Sequence, residues 1–531
     1  MFFLPIKCYN LLDMIAIIIF VFFLNFLPLF YGTFFAFIHN NSFTLSVLLA
    51  TLKAKYFYLS LIISVLYAIL SSILSTYIAL YLSKVLKKIL IFLIIGWVIP
   101  PYIGVPIFRT FFEKYTDITV NPVLSFIISI LISSWFLIPF SAFFLYSYIK
   151  NINQKYLEAF LLDSNNISLY YNKIVIPNIK GAISAVLFLN FISAFKDFQV
   201  PWLLLEGGAP MKIGITNKGI IGATTNLEVL IYKFFNQNID TSKIAAIFTL
   251  TITFLSSFYF FRKKIRIKFN ISIFNKILAY IWIFTIIAFF LIIINLSFSS
   301  SPSIYLKGHF TLDNFQKVFS KDFFNSFFNT FIISFSVSFL GIFLSTYFAF
   351  KLLHFRFGKS FLAFFNFSKI FFGLHSLIFI FYIFSKIHIL NTFFSVILVI
   401  TSKNLPFLTL LSFYTFKDFP EELFYLSKLD GLSNNKFFFK ILIPNNFPLI
   451  SSLFLLSTLN GFNSFLPPLL FLYDNKKYPL SLLLYNYVGT ISNHYPQWNV
   501  FSAISIINLL ILIFLSMILI KITDISHLQY Y

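Results

Sequence analysis

Two lysines interrupt apolar stretches that are long enough to cross a membrane. Lys369 and Lys403 lie within the predicted spans 362–385 and 391–415. A charge at mid-span costs about 2.5–3.5 kcal/mol on insertion scales, so such a residue usually faces the interior of a helix bundle. The alternative is a side chain near a span end that snorkels to the surface. Because Pro406 indicates a broken helix against protein, we favour Lys403 as part of a solute path.

No pattern in the sequence indicates catalysis or metal binding. Residues 353–360 read LHFRFGKS, but leucine replaces the first glycine of a phosphate-binding loop, and a membrane span precedes it instead of a strand. The histidines lack metal-binding spacing, and His375 inside a span is expected to be packed or hydrogen-bonded. Cys8 is the only cysteine, so no intramolecular disulfide forms. We expect no catalytic residue, metal site or cofactor, and no ATP hydrolysis by this chain.

A polar, basic stretch occurs twice. Residues 158–177 read EAFLLDSNNISLYYNKIVIP, and residues 425–444 read YLSKLDGLSNNKFFFKILIP. Asp163 and Asp430 are 267 residues apart, and so are the two closing prolines. A fixed period of this kind is the signature of an internal repeat. The chain is therefore predicted to be two related halves, residues 1–265 and 266–531.

The local sequence of the first copy predicts a short helix and a return segment. A carboxylate near a helix start suits the helix dipole, so Glu158 to Asp163 is expected to be helical. Residues 164–166 (Ser-Asn-Asn) then form a turn, and Pro177 ends an extended return. A solvated loop is the simpler interpretation of one copy, but two copies at one period favour a docking element.

The composition requires a membrane. The chain has 531 residues, of which 59% are hydrophobic and only 11% charged, whereas soluble proteins carry about 25% charged residues. Apolar runs of about 20 residues, the length that spans a bilayer as a helix, recur throughout. We predict an all-α polytopic membrane protein with about twelve transmembrane helices in two repeated six-helix halves. The predicted spans are 12–31, 57–81, 89–108, 123–148, 182–205, 243–261, 276–297, 327–353, 362–385, 391–415, 447–470 and 500–521.

The positive charge is explained by topology. The net charge of +22 would suggest nucleic acid in a soluble protein, but in a membrane protein lysines and arginines hold loops on the cytoplasmic side. Lysine-rich loops include both polar stretches and alternate with loops that are poorer in lysine. We therefore expect no nucleic-acid partner, and we place both stretches and both termini in the cytoplasm.

The two polar stretches resemble the coupling motif of ABC importer permeases, in which EAA is followed by three residues, glycine and a hydrophobic-x-hydrophobic-proline end. The first copy departs from it at Phe160 and Ser164, and the second has YLS (425–427) in place of EAA. The resemblance implies that coupling loops 150–181 and 417–446 contact ATPase subunits. The matching positions are Glu158, Ala159, Asp163, Ser164, Pro177, Tyr425, Asp430, Gly431 and Pro444.

Further segments resemble the permease pair of maltose- and glycerol-phosphate-type carbohydrate systems. The segment FKDFQVPWLLLEGGAP (195–210) is similar to one subunit, and FNSFLPPLLFL (462–472) and YPLSLLL (478–484) are similar to its partner. This implies a type I ABC importer fold in the cytoplasmic (inner) membrane, with two ATP-binding subunits and an extracytoplasmic solute-binding protein. A sugar or related polar solute would then cross by alternating access.

The repeat also suggests where the solute passes. Residues 195–197 (Phe-Lys-Asp) and 462–464 (Phe-Asn-Ser) occupy equivalent positions, so we predict that both segments contact solute. Two alternatives remain at this point: a fused permease for ferric iron or thiamine, and a secondary transporter with two six-helix halves. The latter has no reason to carry a repeated docking loop. The predicted path residues are Phe195, Asp197, Phe462, Asn463 and Lys403.

Overall fold

A computed structural model describes the chain as a helical bundle with two short β-hairpins. The residues that the structure describes are 19, 26–35, 37–39, 42–216, 219–235, 239–262, 273–306, 308–353, 355, 357–369, 372–488 and 496–528. The predicted boundary between the halves, at 265/266, and most of the first predicted span, 12–31, lie outside these residues.

The elements of the first half run from short helices into long apolar ones. They are α1 (Leu27–Phe35), β1 (Ile38–His39), β2 (Ser42–Phe43), α2 (Ser46–Lys53), α3 (Lys55–Val98), α4 (Pro101–Tyr115), α5 (Pro122–Lys150), α6 (Lys155–Asp163), α7 (Ile167–Tyr170), a π-helical turn (Tyr171–Val175), α8 (Ile176–Asn178), α9 (Lys180–Phe195), α10 (Gln199–Leu205), β3 (Pro210–Thr216), β4 (Gly219–Gly222), α11 (Leu227–Phe235) and α12 (Ile239–Arg262). Strands β1 and β2 pair antiparallel, as do β3 and β4.

The second half repeats much of this order. Its elements are α13 (Ile273–Ser297), α14 (Asp313–Val318), α15 (Lys321–Leu353), α16 (Gly358–Ser368), α17 (Leu374–Lys386), α18 (Phe393–Lys417), α19 (Glu421–Leu429), α20 (Asn434–Phe437), a π-helical turn (Phe438–Leu442), α21 (Ile443–Asn445), α22 (Phe447–Phe462), α23 (Leu466–Phe471), a 3₁₀ turn (Asn475–Lys477), α24 (Leu480–Val488) and α25 (Trp498–Leu528).

Prolines and polar caps set the ends of several long helices. The Asn121 side chain accepts hydrogen bonds from the backbone N–H groups of Val123 and Leu124, and Pro122 occupies the first position of α5. Proline is favoured there because its missing N–H would have no partner within the helix. The Thr392 hydroxyl caps α18 by accepting from Ser395 N. Such caps fix where a span starts, and hence which side chains reach its middle.

One three-helix packing unit occurs in each half. In the first half, α3 packs against α5 and α9, and α5 also contacts α9. In the second half, α15 packs in the same way against α18 and α22, which also contact each other. The two units are built from equivalent segments of the 267-residue repeat. Repeated sequence therefore gives repeated packing in this bundle.

Helix α13 attaches the second half to the first. Asn275 donates from Nδ2 to the carbonyl of Tyr77 at 3.0 Å. The indole nitrogen of Trp282 donates to the carbonyl of Trp135 at 3.3 Å, and Trp135 Nε1 donates to Thr285 Oγ1 at 2.8 Å. In an apolar bundle these bonds satisfy buried polar groups that would otherwise lack partners. They fix the register of α13 against α3 and α5.

The predicted fold class, an all-α polytopic membrane protein, is confirmed. Within the described residues, seven helices are long and apolar enough to cross a membrane, and three bent helix pairs bring the number to as many as ten. The total of twelve stays a prediction. The third predicted span, 89–108, is broken at Ile99–Pro100, where its two helices meet at 96°. The span predicted at 362–385 is divided between α16 and α17.

Candidate functional site

The first coupling loop is helical nearly throughout. Helix α6 carries Glu158 in its first turn, and Glu158, Ala159 and Asp163 are exposed. The expected short helix is thus present and starts at Lys155. The expected extended return is wrong: α7, the π-helical turn and α8 carry the chain through Pro177, which is exposed. Proline has no N–H to donate, and here it lies just after the π-helical turn Tyr171–Val175, where the pattern of backbone bonds already changes.

The second coupling loop has the same helices but a different turn. Helix α19 ends in a Schellman arrangement, in which Leu432 N donates to Ser427 O at 2.9 Å and Gly431 N donates to Lys428 O at 3.1 Å. Gly431 has φ of +73°, the left-handed conformation that glycine adopts without steric cost. At the equivalent position, Ser164 is extended, with φ of −161°. The first loop therefore makes no left-handed turn at Ser164.

Both loops present an apolar side chain at one repeat position. Leu162 at the end of α6 is 88% exposed, and Leu429 at the end of α19 is 83% exposed. The two leucines are 267 residues apart. Single exposed leucines are ordinary, but here an exposed leucine occupies the same repeat position in both loops.

The remaining motif positions are also on the surface. Tyr425, Asp430, Gly431 and Pro444 are exposed, while Ser164 is half-buried. Tyr425 replaces the acidic motif residue, yet α19 starts with two exposed glutamates, Glu421 and Glu422. The sequence comparison missed them because they precede the motif by one helical turn. Negative charge at the start of the docking helix is therefore present in both loops.

A cavity of about 370 Å³ lies between the two halves of the repeat. Its lining includes the junction between α9 and α10 and the equivalent junction between α22 and α23. Ser193 and Asn460, Lys196 and Asn463, and Asp197 and Ser464 are pairs of repeat-equivalent residues that line it. Other lining residues are Phe198, Gln199, Lys369, Phe372, Gly373, Leu377, Ile400, Lys403, Asn404, Phe465, Leu466 and Pro467.

Three lysines line this one cavity. The Lys196 ammonium group donates to the carbonyl of Phe372 at 3.2 Å. Lys369 Nζ lies 4.7 Å from the ring centroid of Phe407, and Lys403 Nζ lies 5.9 Å from that of Phe372. Cation–π contacts of this kind are worth about 0.5–2 kcal/mol. Lys403 is ten residues from the start of the 25-residue helix α18, which places it near mid-span.

Two carboxylates near the cavity, the half-buried Asp197 and the fully buried Glu228, are held by protein groups. Asp197 accepts a hydrogen bond from the Tyr67 hydroxyl at 2.8 Å and one from Val200 N at 3.2 Å. Glu228 lies behind the wall, where its Oε1 is 2.6 Å from His375 Nδ1 and its Oε2 accepts from His375 N at 3.2 Å. Because α11 and α17 belong to different halves, the Glu228–His375 pair ties the halves together.

The structure brings three of the five predicted path residues to the cavity. Asp197, Asn463 and Lys403 line it, whereas Phe195 and Phe462 are buried in packed clusters behind it. Sequence analysis missed Ser193 and Asn460, although their 267-residue separation was available as a signal. It also missed Asn404, the neighbour of Lys403.

The Gly-Gly segment after α10 forms a strained turn beside α11. Glu206, Gly207 and Gly208 have φ values of 51°, 105° and 88°. A Cβ on Gly207 would lie 2.4 Å from Thr225 Oγ1, so only glycine fits. Burial lowers the pKa of the nearby Lys233 ammonium group, and the charge of Glu206 opposes that shift. The backbone geometry of this turn thus explains why glycines occupy positions 207 and 208.

Part of the chain is similar to known transport proteins. Residues 337–525 match the family described as binding-protein-dependent transport system inner membrane component. The trehalose/maltose transport system permease protein MalF of Thermococcus litoralis is 26% identical over 138 residues, which are 26% of this chain and 43% of that protein. The aligned part of the chain thus spans less than half of that relative. The chain thus has the apolar helices of a multi-pass membrane protein, and parts of it are similar to inner-membrane components of binding-protein-dependent transport systems, among them a permease of a carbohydrate system.

Proposed function

We propose that the chain is a fused permease, in which residues 1–265 and 266–531 act as the two halves of an importer for a sugar or related polar solute. Two ATP-binding subunits bind on its cytoplasmic side, and a solute-binding protein binds on its extracytoplasmic side. Both termini and both coupling loops then lie in the cytoplasm. The equivalent three-helix units and the MalF similarity support this proposal. Iron, thiamine and secondary-transport alternatives gain no support from a specific contact among the described residues.

The observation that carries the proposal is the repeated docking surface formed by α6 and α19. Helix α6 has no buried residue, and α19 buries only Ser427 among its nine residues. Helices this short are marginal alone, and each exposes a leucine at the same repeat position. Covering a leucine side chain contributes about 1.5–3 kcal/mol. Two ATPase subunits would bind these two similar surfaces, one at α6 and one at α19.

The connection from loop to cavity is short. The π-helical turn after α7 leads through α8 into α9, which lies at 75° to the preceding segment and ends at the cavity. The equivalent segment in the second half bends by 82° and enters α22. Movement of a docking helix would reach the cavity wall through two helical segments that meet at a bend in each half. Rocking of the two halves would open the cavity to alternate sides, which is alternating access.

Co-purification tests the docking surface directly. Leu162→Ala, Leu429→Ala and the double variant are co-expressed with candidate ATPase subunits from the same organism, after one that co-purifies with the wild-type chain has been identified. We expect each single variant to weaken assembly by about tenfold or more, and the double variant to abolish it. Leu291→Ala is the matched control, because Leu291 is an exposed leucine on the membrane helix α13. Wild-type assembly of the double variant would rule out α6 and α19 as docking elements.

A further inference from the structure

The charge of the central cavity indicates the kind of solute that it accepts. Lys196, Lys369 and Lys403 come from three separate segments and line the same space. The side chains of Lys369 and Lys403 are exposed to this space and that of Lys196 is half-buried, and like charges that face one cavity disfavour one another. Positive charges at mid-membrane are rare and usually mark a substrate or ion pathway.

The nearby carboxylates do not neutralise Lys369 and Lys403. Asp197 is the only acidic residue in the cavity lining among the described residues, and the Tyr67 hydroxyl and Val200 N already donate to it. Glu228 is fully buried behind the wall and bonds to His375. The contacts of Lys369 and Lys403 are instead with the rings of Phe407 and Phe372. An aromatic face supports a cation but leaves its N–H donors available.

The rest of the lining suits a polyol. Gln199, Asn404, Asn460 and Asn463 offer amide groups, and Ser193 and Ser464 offer hydroxyls. Amide and hydroxyl groups both donate and accept, as sugar hydroxyls require. The volume of about 370 Å³ lies within the range of roughly 300–1,000 Å³ that is typical of small-molecule sites. The cavity thus combines hydrogen-bonding groups for hydroxyls with two ammonium groups for an anion.

We propose that the solute is an anionic polyol, a sugar that carries a phosphate or carboxylate group, and that Lys369 and Lys403 bind its charged oxygens. This inference rests on the proposed function, in that it takes the cavity to be the solute site. Charge-assisted hydrogen bonds to an oxyanion are about twice as strong as neutral ones. The solute would compensate the two lysines only while it is bound, so the empty cavity retains a site that attracts anions.

Direct binding to the purified full-length permease tests the proposal. The protein is placed in nanodiscs of phosphatidylcholine, and binding of glucose, glucose 6-phosphate and glucuronate is measured by calorimetry and thermal shift. We expect both anionic probes to bind at least tenfold more tightly than glucose. Lys369→Met and Lys403→Met should each remove most of that preference, whereas Lys403→Arg retains it. Lys321→Met, an exposed lysine at the start of α15, is the control and should change nothing.

The outcomes separate this inference from the proposed function. Equal binding of glucose and glucose 6-phosphate, no binding of either anionic probe, or unchanged preference in the lysine variants overturns it. A further arm adds phosphatidylglycerol to the nanodiscs. Loss of probe binding there would mean that a lipid headgroup occupies the lysines, which also overturns the proposal. If ATP-driven uptake of a neutral sugar proceeds normally in Lys369→Met and Lys403→Met, the importer function stands and only the anionic solute is refuted.

Discussion

Replacement of Gly431 by valine perturbs one coupling turn and leaves its equivalent untouched. Gly431 has φ of +73°, and a Cβ added there would meet nothing within 4 Å. The free-energy cost of Gly431→Val therefore comes from the backbone conformation alone. A left-handed conformation costs an L-residue about 1–2 kcal/mol, which changes a conformational ratio by roughly 5–30-fold. β-Branched residues are the least tolerant of this conformation.

The expected consequence is uncoupling. If α19 transmits ATPase movement through this turn, Gly431→Val should lower solute transported per ATP hydrolysed in proteoliposomes of the complete transporter. Gly431→Asn should retain most of the coupling, because asparagine adopts the left-handed conformation more readily. Ser164→Val is the matched control: Ser164 occupies the equivalent position with φ of −161°, so valine introduces no such strain.

The control variants decide whether the reasoning holds. A wild-type transport ratio in Gly431→Val would show that the left-handed turn is not needed for coupling. An equal loss in Gly431→Asn and Gly431→Val would show that the side chain, and not the φ angle, is responsible. An equal loss in Ser164→Val would show that backbone strain does not distinguish the two loops.

Three further predictions concern the charged groups of the site. Glu158→Ala should weaken assembly of the permease with its ATPase subunits at low salt. Assembly of this variant should also depend less on salt than that of the wild type, because salt screens exposed charge pairs. Unchanged salt dependence in a co-purification series would contradict this. Lys403→Met should lower uptake at unchanged membrane abundance, and normal uptake with a raised melting temperature would mean that the charge within this span destabilises the fold and does not serve transport. Glu228→Gln should lower the free energy of unfolding by about 1.5–3 kcal/mol, since it weakens a buried hydrogen-bonded pair; an unchanged melting temperature would indicate that the pair does not hold the halves together.

Local sequence predicted the helical bundle and the position of α6, because apolar length and a repeated period are properties of the chain itself. It failed at the return segment before Pro177. There the prediction took proline as the end of an extended segment, but proline in the first turn of a helix is equally compatible. The polar segment before Pro177 is too short for its hydrophobic periodicity to distinguish an extended segment from a helical one.

The site was predictable only in part for a different reason. Lys403 stood out because charge is rare in a span, and the repeat pointed to Asp197 and Asn463. Phe195 and Phe462 are buried in packed clusters, and the repeat period does not distinguish packed residues from cavity-lining ones. The Glu228–His375 pair joins residues 147 positions apart, and no local pattern signals such a contact. The motif begins at Tyr425, so the motif alone does not include the acidic residues Glu421 and Glu422 at the start of α19.

Energy coupling is the most direct test of the central claim. The purified chain is reconstituted in proteoliposomes with and without its ATPase partner and solute-binding protein, and uptake is measured with ATP or with an imposed proton gradient. We predict that uptake requires the partner proteins and ATP, and that a protonophore does not affect it. Uptake by the chain alone, driven by the proton gradient, would contradict the ABC importer account.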